Sequence, residues 1–215
     1  KLIENMENLG FAEGNNIGAK QAKGQYLLLL NNDTEVEPDF LDKLVETLEK
    51  DRKTAVVQPK IILTSVNKLQ AGGSFLTPSG FLYHYGFFKD QNDPKYNKEM
   101  KIFSANGACM LIRRKVIDEV GLFNPDFFNY FEESDFCWRV ILAGYNVIYC
   151  PKAIVYHKGR QTSKRLSFSS TQYGSFKNRL TSILINLGNK GLIKMIPLHF
   201  LYCLFQMIGL LIMAK

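Results

Sequence analysis

The chain has 215 residues, of which 46% are hydrophobic and 22% are charged. These fractions are ordinary for a folded protein, and they exclude intrinsic disorder as the default; the length fits one globular domain with an appendage. The four cysteines lie far apart and form no CxxC pair, which indicates buried thiols in a reducing compartment.

The formal net charge of +7 is unevenly placed. Lys1–Cys150 contains 17 basic and 20 acidic residues, whereas Pro151–Lys215 contains 10 basic residues and none that are acidic. A basic tail without acidic residues favours an anionic partner. Because this tail also contains Met195–Met213, a run of nineteen residues without Asp, Glu, Lys or Arg, we expect a membrane surface rather than nucleic acid as that partner.

The first elements of the chain are a charged segment and a loop. Residues 1–8, KLIENMEN, predict part of a charged helix, and Asn8–Gly18 is rich in Gly and Asn before a short predicted helix, Asn16–Ala22. The glycines do not follow the G-x-G-x-x-G spacing of a dinucleotide site. The loop is either a plain connection or a segment that approaches a phosphate or sugar closely, since Gly lacks Cβ and Asn both donates and accepts hydrogen bonds.

A polar cluster follows the first predicted strand. Tyr26–Leu30 is a continuous apolar run, and Asn31, Asn32 and Asp33 come directly after it. Open α/β sheets bind their ligands at the carboxyl ends of strands, and carboxylate oxygens suit a divalent cation. The alternative is a turn or helix cap, which Asn and Asp also favour.

The next segments predict the fold class. Pro38–Lys50 is an amphipathic helix, and Val56–Leu63 is a strand whose Pro59 indicates an edge or a bulge. Alternating strands and helices favour an α/β fold with a largely parallel sheet flanked by helices. Gln70–Tyr96 interleaves glycines with aromatic residues, and is either the packed interior of a long insertion or a lid or acceptor platform.

An acidic triplet opens a later helix. The segment Phe103–Arg114 ends in a predicted strand, a short helix follows, and Phe127–Arg139 then places acidic residues directly after an aromatic run. Acidic residues are common in a first helical turn, but apolar surroundings raise the pKa of a carboxyl and prepare it for base catalysis. The residues concerned are Glu132, Glu133 and Asp135.

The end of the chain predicts two strands, a connector and two helices. The strands are Tyr145–Pro151 and Ala153–His157, and His157 is either a satisfied core residue or a metal ligand. Gln161–Tyr173 is a basic, Ser/Thr-rich connector, and Ser175–Leu187 and Leu192–Met213 are helix candidates. The alternatives to membrane association of the last helix are burial against the domain and a dimer interface.

Five motifs in this order resemble the family 2 glycosyltransferases, inverting enzymes of the GT-A fold, and particularly their rhamnosyltransferase-like branch. They are NLGFAEGNNIG, AKGQYLLLLNNDTEVEP, SANGACMLIRR, VGLFNPDFFNYFEESDFCWRVILAGY and AIVYHKGRQTS. The resemblance covers about residues 5–165. It implies a GT-A-like, Rossmann-like α/β domain over residues 1–165, and we assign residues 166–215 to the basic connector and an apolar, membrane-associating helical tail.

The resemblance also implies roles for particular residues. Asp33, helped by His157, would hold Mg²⁺ or Mn²⁺; Glu133 aligns with the catalytic base, where the family usually has Asp, and this departure leaves Glu132 and Asp135 as alternatives. The expected donor-binding residues are Asn8, Gly10, Asn16, Asn31, Asn32 and Asp33, and the expected acceptor-binding residues are Asn106 and Gly107.

The implied function is inverting transfer of a sugar from a nucleotide-diphosphate donor to a hydroxyl of a cell-surface glycan, lipid-linked and at the cytoplasmic face of the membrane. Family members begin with a strand and helix that hold the base and ribose of the donor, and this chain starts after them. We therefore expect it to be truncated at the amino terminus and to bind donor weakly by itself. The alternatives are a non-catalytic glycan- or membrane-binding remnant and a sugar nucleotidyltransferase.

Overall fold

The structure, a computed structural model, describes residues 2–159 and 168–213. The helices are α1 (Gly10–Gln21), α2 (Phe40–Glu49), α3 (Arg114–Val120), α4 (Glu132–Leu142), α5 (Phe168–Asn186) and α6 (Asn189–Met213). The strands are β1 (Tyr26–Leu30), β2 (Thr34–Val36), β3 (Thr54–Leu63), β4 (Lys68–Ala71), β5 (Ser74–Leu76), β6 (Leu82–His84), β7 (Met100–Ile102), β8 (Cys109–Arg113) and β9 (Asn146–His157). Short 3-10 turns lie at Pro94–Asn97 and Pro125–Phe127.

Seven strands form one sheet in the order β1-β8-β3-β9-β2, with β4 beside β3 and β7 beside β9. The predicted α/β class, with helices flanking a central sheet, is confirmed. The longest pairing, β3 with β9, is parallel, and its neighbours pair antiparallel. The expected parallel arrangement thus applies to this pair. Parallel neighbours need a crossover connection, and the chain between β3 and β9 includes α3 and α4. Strand β8 is antiparallel to both β1 and β3.

The helices cover both faces of the sheet. Because side chains alternate along each strand, one strand contributes to the core on each face. Leu27 and Leu29 pack in a core with residues of α1, α3 and α4, whereas Leu28, on the other face, packs in a second core with α2. Val56 and Val57 of β3 divide between the same two cores. The apolar run at Tyr26–Leu30 is therefore a strand with both faces covered, as the sequence predicts.

The strand β9 corrects the prediction of two short strands, Tyr145–Pro151 and Ala153–His157, separated at Lys152. It is continuous, but its register against β3 shifts: Pro59 lies opposite Cys150, and Lys60 lies opposite Ile154. Residues 151–153 are therefore a bulge, which absorbs Pro151 without ending the strand. Pro59, which the sequence indicates as an edge or a bulge, lies directly before this shift of register, and the unpaired residues belong to β9.

The amino-terminal segment also differs from the prediction. Residues 2–9 form no helix, and Leu2 and Met6 are exposed, so a helix here would gain no packing energy. Helix α1 instead begins at Gly10, inside the expected loop. It is held there by long-range packing, since Ala12 is fully buried and the ring of Phe11 lies 5.8 Å from that of Phe123.

The aromatic insertion packs against the carboxyl-terminal helices. The hairpin of β5 and β6 turns at Thr77–Phe81, where the carbonyl of Ser79 accepts a hydrogen bond from the fully buried His199 of α6. The predicted connector Gln161–Tyr173 lies partly outside the described residues, and its last residues belong to α5.

Candidate functional site

A cleft of about 640 Å³ lies at the carboxyl end of β1. Its walls are the start of α1, the segment after β1, the loop before α4 and the end of β9. The predicted site residues that line it are Asn8, Gly10, Asn31, Asn32, Asp33, Gly107, Glu132 and His157. Residues separated by more than a hundred positions are thus brought into one cavity.

Asp33 and His157 meet in this cleft. The antiparallel pairing of β2 with β9 places Thr34 opposite His157, so the preceding Asp33 lies beside the imidazole. Asp33 Oδ1 is 3.1 Å from His157 Nε2. The turn between β1 and β2 is closed by the Thr34 hydroxyl, which donates to the Asn31 carbonyl at 2.6 Å.

The second ring nitrogen of His157 is 2.7 Å from Oε1 of Gln70. With a proton on Nδ1 donated to Gln70, the lone pair of Nε2 and the carboxylate of Asp33 face the same space, which is the donor set of a divalent cation. Within the described residues no third His, Cys, Asp or Glu joins this pair. The pair fits a cation that takes its remaining ligands from water and substrate oxygens, as Mg²⁺ commonly does.

The start of α1 forms another wall, and its first backbone N–H groups are satisfied by Asn8 and by residues more than a hundred positions away. The Gly10 N–H donates to the side chain of Asn8 at 3.0 Å, and the Phe11 N–H donates to Oδ1 of Asn129 at 2.9 Å. The Ala12 N–H donates to the carbonyl of Phe128 at 3.1 Å. Helix α1 is thereby fixed to the loop that leads into α4.

Glu132 and Glu133 are adjacent carboxyls at the start of α4. Glu132 is buried in the cleft wall, and each side chain has one buried oxygen without a hydrogen-bond partner among the described residues. Burial and, secondarily, the neighbouring Glu133 raise the pKa of Glu132 to about 9. Burial also raises the pKa of Glu133, while backbone N–H groups, among them those of Ser134 and Gly107, oppose that rise by stabilising its carboxylate.

Asp135, the third acidic candidate, is placed differently. It is fully buried and does not line the cleft. Its Oδ1 accepts hydrogen bonds from Ser182 at 2.8 Å and Asn186 at 2.7 Å, and its Oδ2 pairs with Arg139 at 2.9 Å. Both oxygens are occupied, so Asp135 joins α4 to α5 rather than facing a substrate.

Three further predicted residues do not line the cleft: Glu133, which directly follows Glu132, and the amides Asn16 and Asn106. The side chain of Asn16, predicted to bind donor, instead bonds to the backbone of Phe123 in both directions. Asn106, predicted to bind acceptor, uses its Oδ1 to accept the N–H of Ala108 and so shapes the turn before β8. Both amides satisfy backbone groups, which is the usual alternative use of Asn.

Sequence reasoning missed two cleft residues that hold others in place, Gln70 and Asn129. Gln70 is separated from His157 by 87 positions, and no local pattern announces the contact. Asn129 lies within the aromatic run before Glu132, where a lone amide among rings was a signal that could have been used.

The model of the glycosyl transferase family group 2 matches residues 26–211, which is most of the chain. The chain belongs to this family. The resemblance found in the sequence motifs is therefore confirmed, and the matched range includes α5 and most of α6.

Relatives of this glycosyl transferase family group 2 chain include the low-salt glycan biosynthesis hexosyltransferase Agl10 of Haloferax volcanii, 25% identical over 181 residues, a match that covers 82% of this chain and 58% of the relative. The N-acetylglucosaminyl-diphospho-decaprenol L-rhamnosyltransferase of Mycobacterium tuberculosis is 35% identical over 60 residues, or 27% of this chain and 20% of the relative. The chain thus spans little more than half the length of one curated relative and a fifth of the other.

The fold is shared with solved glycosyltransferases of the GT-A type. The crystal structure of GalNAc-T7 with UDP, GalNAc and Mn²⁺ superposes with a TM-score of 0.64 at 20% identity, and covers 83% of this chain and 35% of that one. The GT-A fold expected from the sequence is confirmed by this likeness.

Proposed function

We propose that the protein transfers a sugar from a nucleotide-diphosphate donor to a hydroxyl of a glycan acceptor, with inversion at the anomeric carbon. The observation that carries this proposal is that the Asp33–His157 pair shares one cleft with the carboxyl of Glu132. A cation site beside a pair of carboxyls, one lining the cavity and the other directly following it in α4, suits this reaction, because a diphosphate must leave while a hydroxyl loses its proton.

Asp33 and His157 would hold a divalent cation, Mg²⁺ or Mn²⁺. When bound, the cation supplies charge neutralisation for the departing diphosphate. Gln70 holds the imidazole ring through its Nδ1 and thereby presents Nε2 towards Asp33. Asn8, Gly10, Asn31 and Asn32 line the same cleft and would contact the donor.

Glu133 would act as the base that removes the proton of the acceptor hydroxyl. One base suffices for a single displacement. The two adjacent carboxyls cannot both ionise easily, because burial raises the pKa of each and one charge opposes the other. The backbone N–H groups that stabilise the Glu133 carboxylate favour Glu133 as the ionised member. Gly107, whose N–H is one of them, lies in the cleft wall, where the acceptor would enter.

The test is a transfer assay on the protein with a panel of UDP-, GDP- and dTDP-sugars in the presence of Mn²⁺. We expect Asp33→Ala and Glu133→Gln each to lower kcat by about 100-fold or more, and Glu132→Gln to lower it less. Asp42→Ala and Glu119→Gln alter exposed carboxylates outside the cleft and are the matched controls.

Near-normal turnover in Asp33→Ala or Glu133→Gln would remove that residue from the mechanism. Retained binding of a glycan without any transfer by the wild type would favour a non-catalytic glycan-binding protein. Release of pyrophosphate from a nucleoside triphosphate and a sugar phosphate would instead identify a sugar nucleotidyltransferase.

We also propose that α6 holds the protein at the cytoplasmic face of the cell membrane, where a lipid-linked acceptor would lie. Within the described residues, Asn189–Gly209 is the one helical stretch long and apolar enough to cross a membrane, and 6% of its most apolar part is buried. His199 fixes one side of α6 to the domain, while Phe200, Phe205 and Met207 are each about half exposed or more. Lys190 and Lys194, at the start of the helix, suit anionic headgroups.

Vesicle flotation tests this second proposal. A truncation should begin at Gly188 and not within α5, because Asn178 and Ser182 of α5 are fully buried in the domain. We expect the Phe200→Glu/Phe205→Glu variant to lose flotation on anionic vesicles. The control, Val66→Glu/Leu142→Glu, changes exposed apolar residues elsewhere. Equal flotation of all three proteins and the wild type would contradict membrane binding by α6.

A further inference from the structure

The loop between the turn Pro125–Phe127 and α4 has an unusual backbone. Phe128, Tyr130 and Phe131 all have positive φ, at 54°, 74° and 71°. With ψ of −68°, Phe128 occupies the rare and strained γ-turn region. Each such residue costs on the order of 1–3 kcal/mol and persists only where its surroundings hold it. The strained segment ends directly before Glu132.

One side chain of α5 holds this loop. Asn178 is fully buried, and its Nδ2, which carries two hydrogens, lies within hydrogen-bond distance of three backbone carbonyls, those of Phe127 at 2.7 Å, Asn129 at 3.0 Å and Tyr130 at 2.8 Å, so that two of them share one hydrogen. The amide oxygen of Asn178 is buried without a partner among the described residues. An unsatisfied buried acceptor destabilises the folded state by about 1–3 kcal/mol. The stability of α5 alone therefore does not account for an Asn at this position.

The loop held by Asn178 connects the walls of the cleft. The Phe128 carbonyl and the Asn129 side chain accept the N–H groups of Ala12 and Phe11 at the start of α1. Asn129 and Tyr130 themselves line the cleft. The three carbonyls bound by one amide therefore lie between the donor wall and the adjacent carboxyls of α4.

We propose that Asn178 is a positioning residue for sugar transfer: by bonding three carbonyls of the strained loop, it sets the position of Glu132 and Glu133 relative to the start of α1. This inference rests on the proposed function. Asn178 does not line the cleft and acts through the loop.

The matched control is Ser182, one turn further along α5. It is equally buried, and its hydroxyl donates to Asp135 Oδ1 without touching the loop. We expect Asn178→Ala to lower kcat by about 10–100-fold more than Ser182→Ala does, with KM for the donor sugar changed far less, since small misplacements of a catalytic group have effects of this size. We also expect the pH profile of kcat to shift in Asn178→Ala alone.

A rescue experiment separates positioning from folding. Phe128 is 43% exposed and lies outside the cleft lining, so Phe128→Gly relieves backbone strain while removing a ring whose buried side lies against Gly10. We expect Asn178→Ala to cost at least threefold less kcat in the Phe128→Gly background, which also provides a folded variant if Asn178→Ala alone does not fold. Equal kcat losses in the Asn178 and Ser182 variants, or no rescue by Phe128→Gly, would overturn the proposal.

Hydrogen exchange gives a readout that needs no donor. The backbone amides of residues 128–131 should exchange at least tenfold faster in Asn178→Ala than in Ser182→Ala, because only the first loses the carbonyl contacts. Unchanged exchange rates in Asn178→Ala would refute the proposal that Asn178 holds this loop. A wild type that transfers no sugar would refute the proposed function, and the exchange result would still decide the role of Asn178.

Discussion

Replacement of Asp135 tests whether the third acidic residue serves structure or chemistry. In Asp135→Ala the fold loses the bonds from Ser182 and Asn186 and leaves Arg139 without its carboxylate partner. Breaking a buried ion pair on one side costs about 3–5 kcal/mol. In a chain of this length each kcal/mol lowers Tm by about 2–4 °C, so the melting temperature should fall by roughly 6–20 °C.

Asp135→Asn is the milder variant, because its amide oxygen still accepts from Ser182 or Asn186 and only the charge is lost. We expect it to cost about 2 kcal/mol and to keep kcat within about threefold of the wild type below its melting temperature. Thermal melting followed by circular dichroism and kcat at 25 °C are the two measurements, and Asp118→Ala, at an exposed carboxylate, is the control. A variant that melts like the wild type but loses activity as Glu133→Gln does would show that Asp135 has a chemical role.

Three further predictions concern pH, the metal pair and the hairpin. The pKa of Glu132 is raised from 4.5 to about 9, so between these pH values the folded state keeps a proton that the unfolded state releases. The free energy of unfolding should therefore fall as pH rises through this range. If the urea midpoint of Glu132→Gln changed with pH as steeply as that of the wild type, this prediction would be contradicted. Gln70→Ala should weaken Mn²⁺ binding by about 10–100-fold in calorimetric titration, while Gln91→Ala, at a half-buried residue outside the cleft, should not. Gly80→Ala should destabilise by about 1–3 kcal/mol, since Gly80 has φ of +78° and a Cβ there would lie 2.6 Å from Ile183; Gly18→Ala, where a Cβ meets nothing within 4 Å, should stabilise α1 by roughly 0.5–1 kcal/mol in chemical denaturation, and the reverse order would contradict the packing described.

Local patterns predicted the elements whose cause is local. The strand Tyr26–Leu30 was predicted with its observed bounds, because a short apolar run covered on both faces needs no other signal. Asp33 and His157 were predicted as strand-end residues, and the structure brings them within 3.1 Å. Their roles as metal ligands stay proposals.

Long-range contacts account for what the sequence did not predict. Helix α1 starts earlier than expected because Asn129 and Phe128, more than a hundred positions away, satisfy its first N–H groups. The Gly- and Asn-rich composition of this segment by itself predicted a loop. Asp135 looked equivalent to Glu132 and Glu133 because its partners come from α5, which no pattern within α4 could indicate.

The bulge in β9 has a consequence for how the chain tolerates changes in length. Residues 151–153 have no partner opposite them in β3, whereas Ile154 and the residues after it are paired again up to His157. A residue inserted into this bulge would be accommodated there and would leave the imidazole opposite Thr34. The same insertion between Ile154 and His157 would turn the imidazole to the other face of the sheet and separate it from Asp33. The spacing that holds the two side chains together is therefore set by the last four residues of β9, and not by the length of the whole strand.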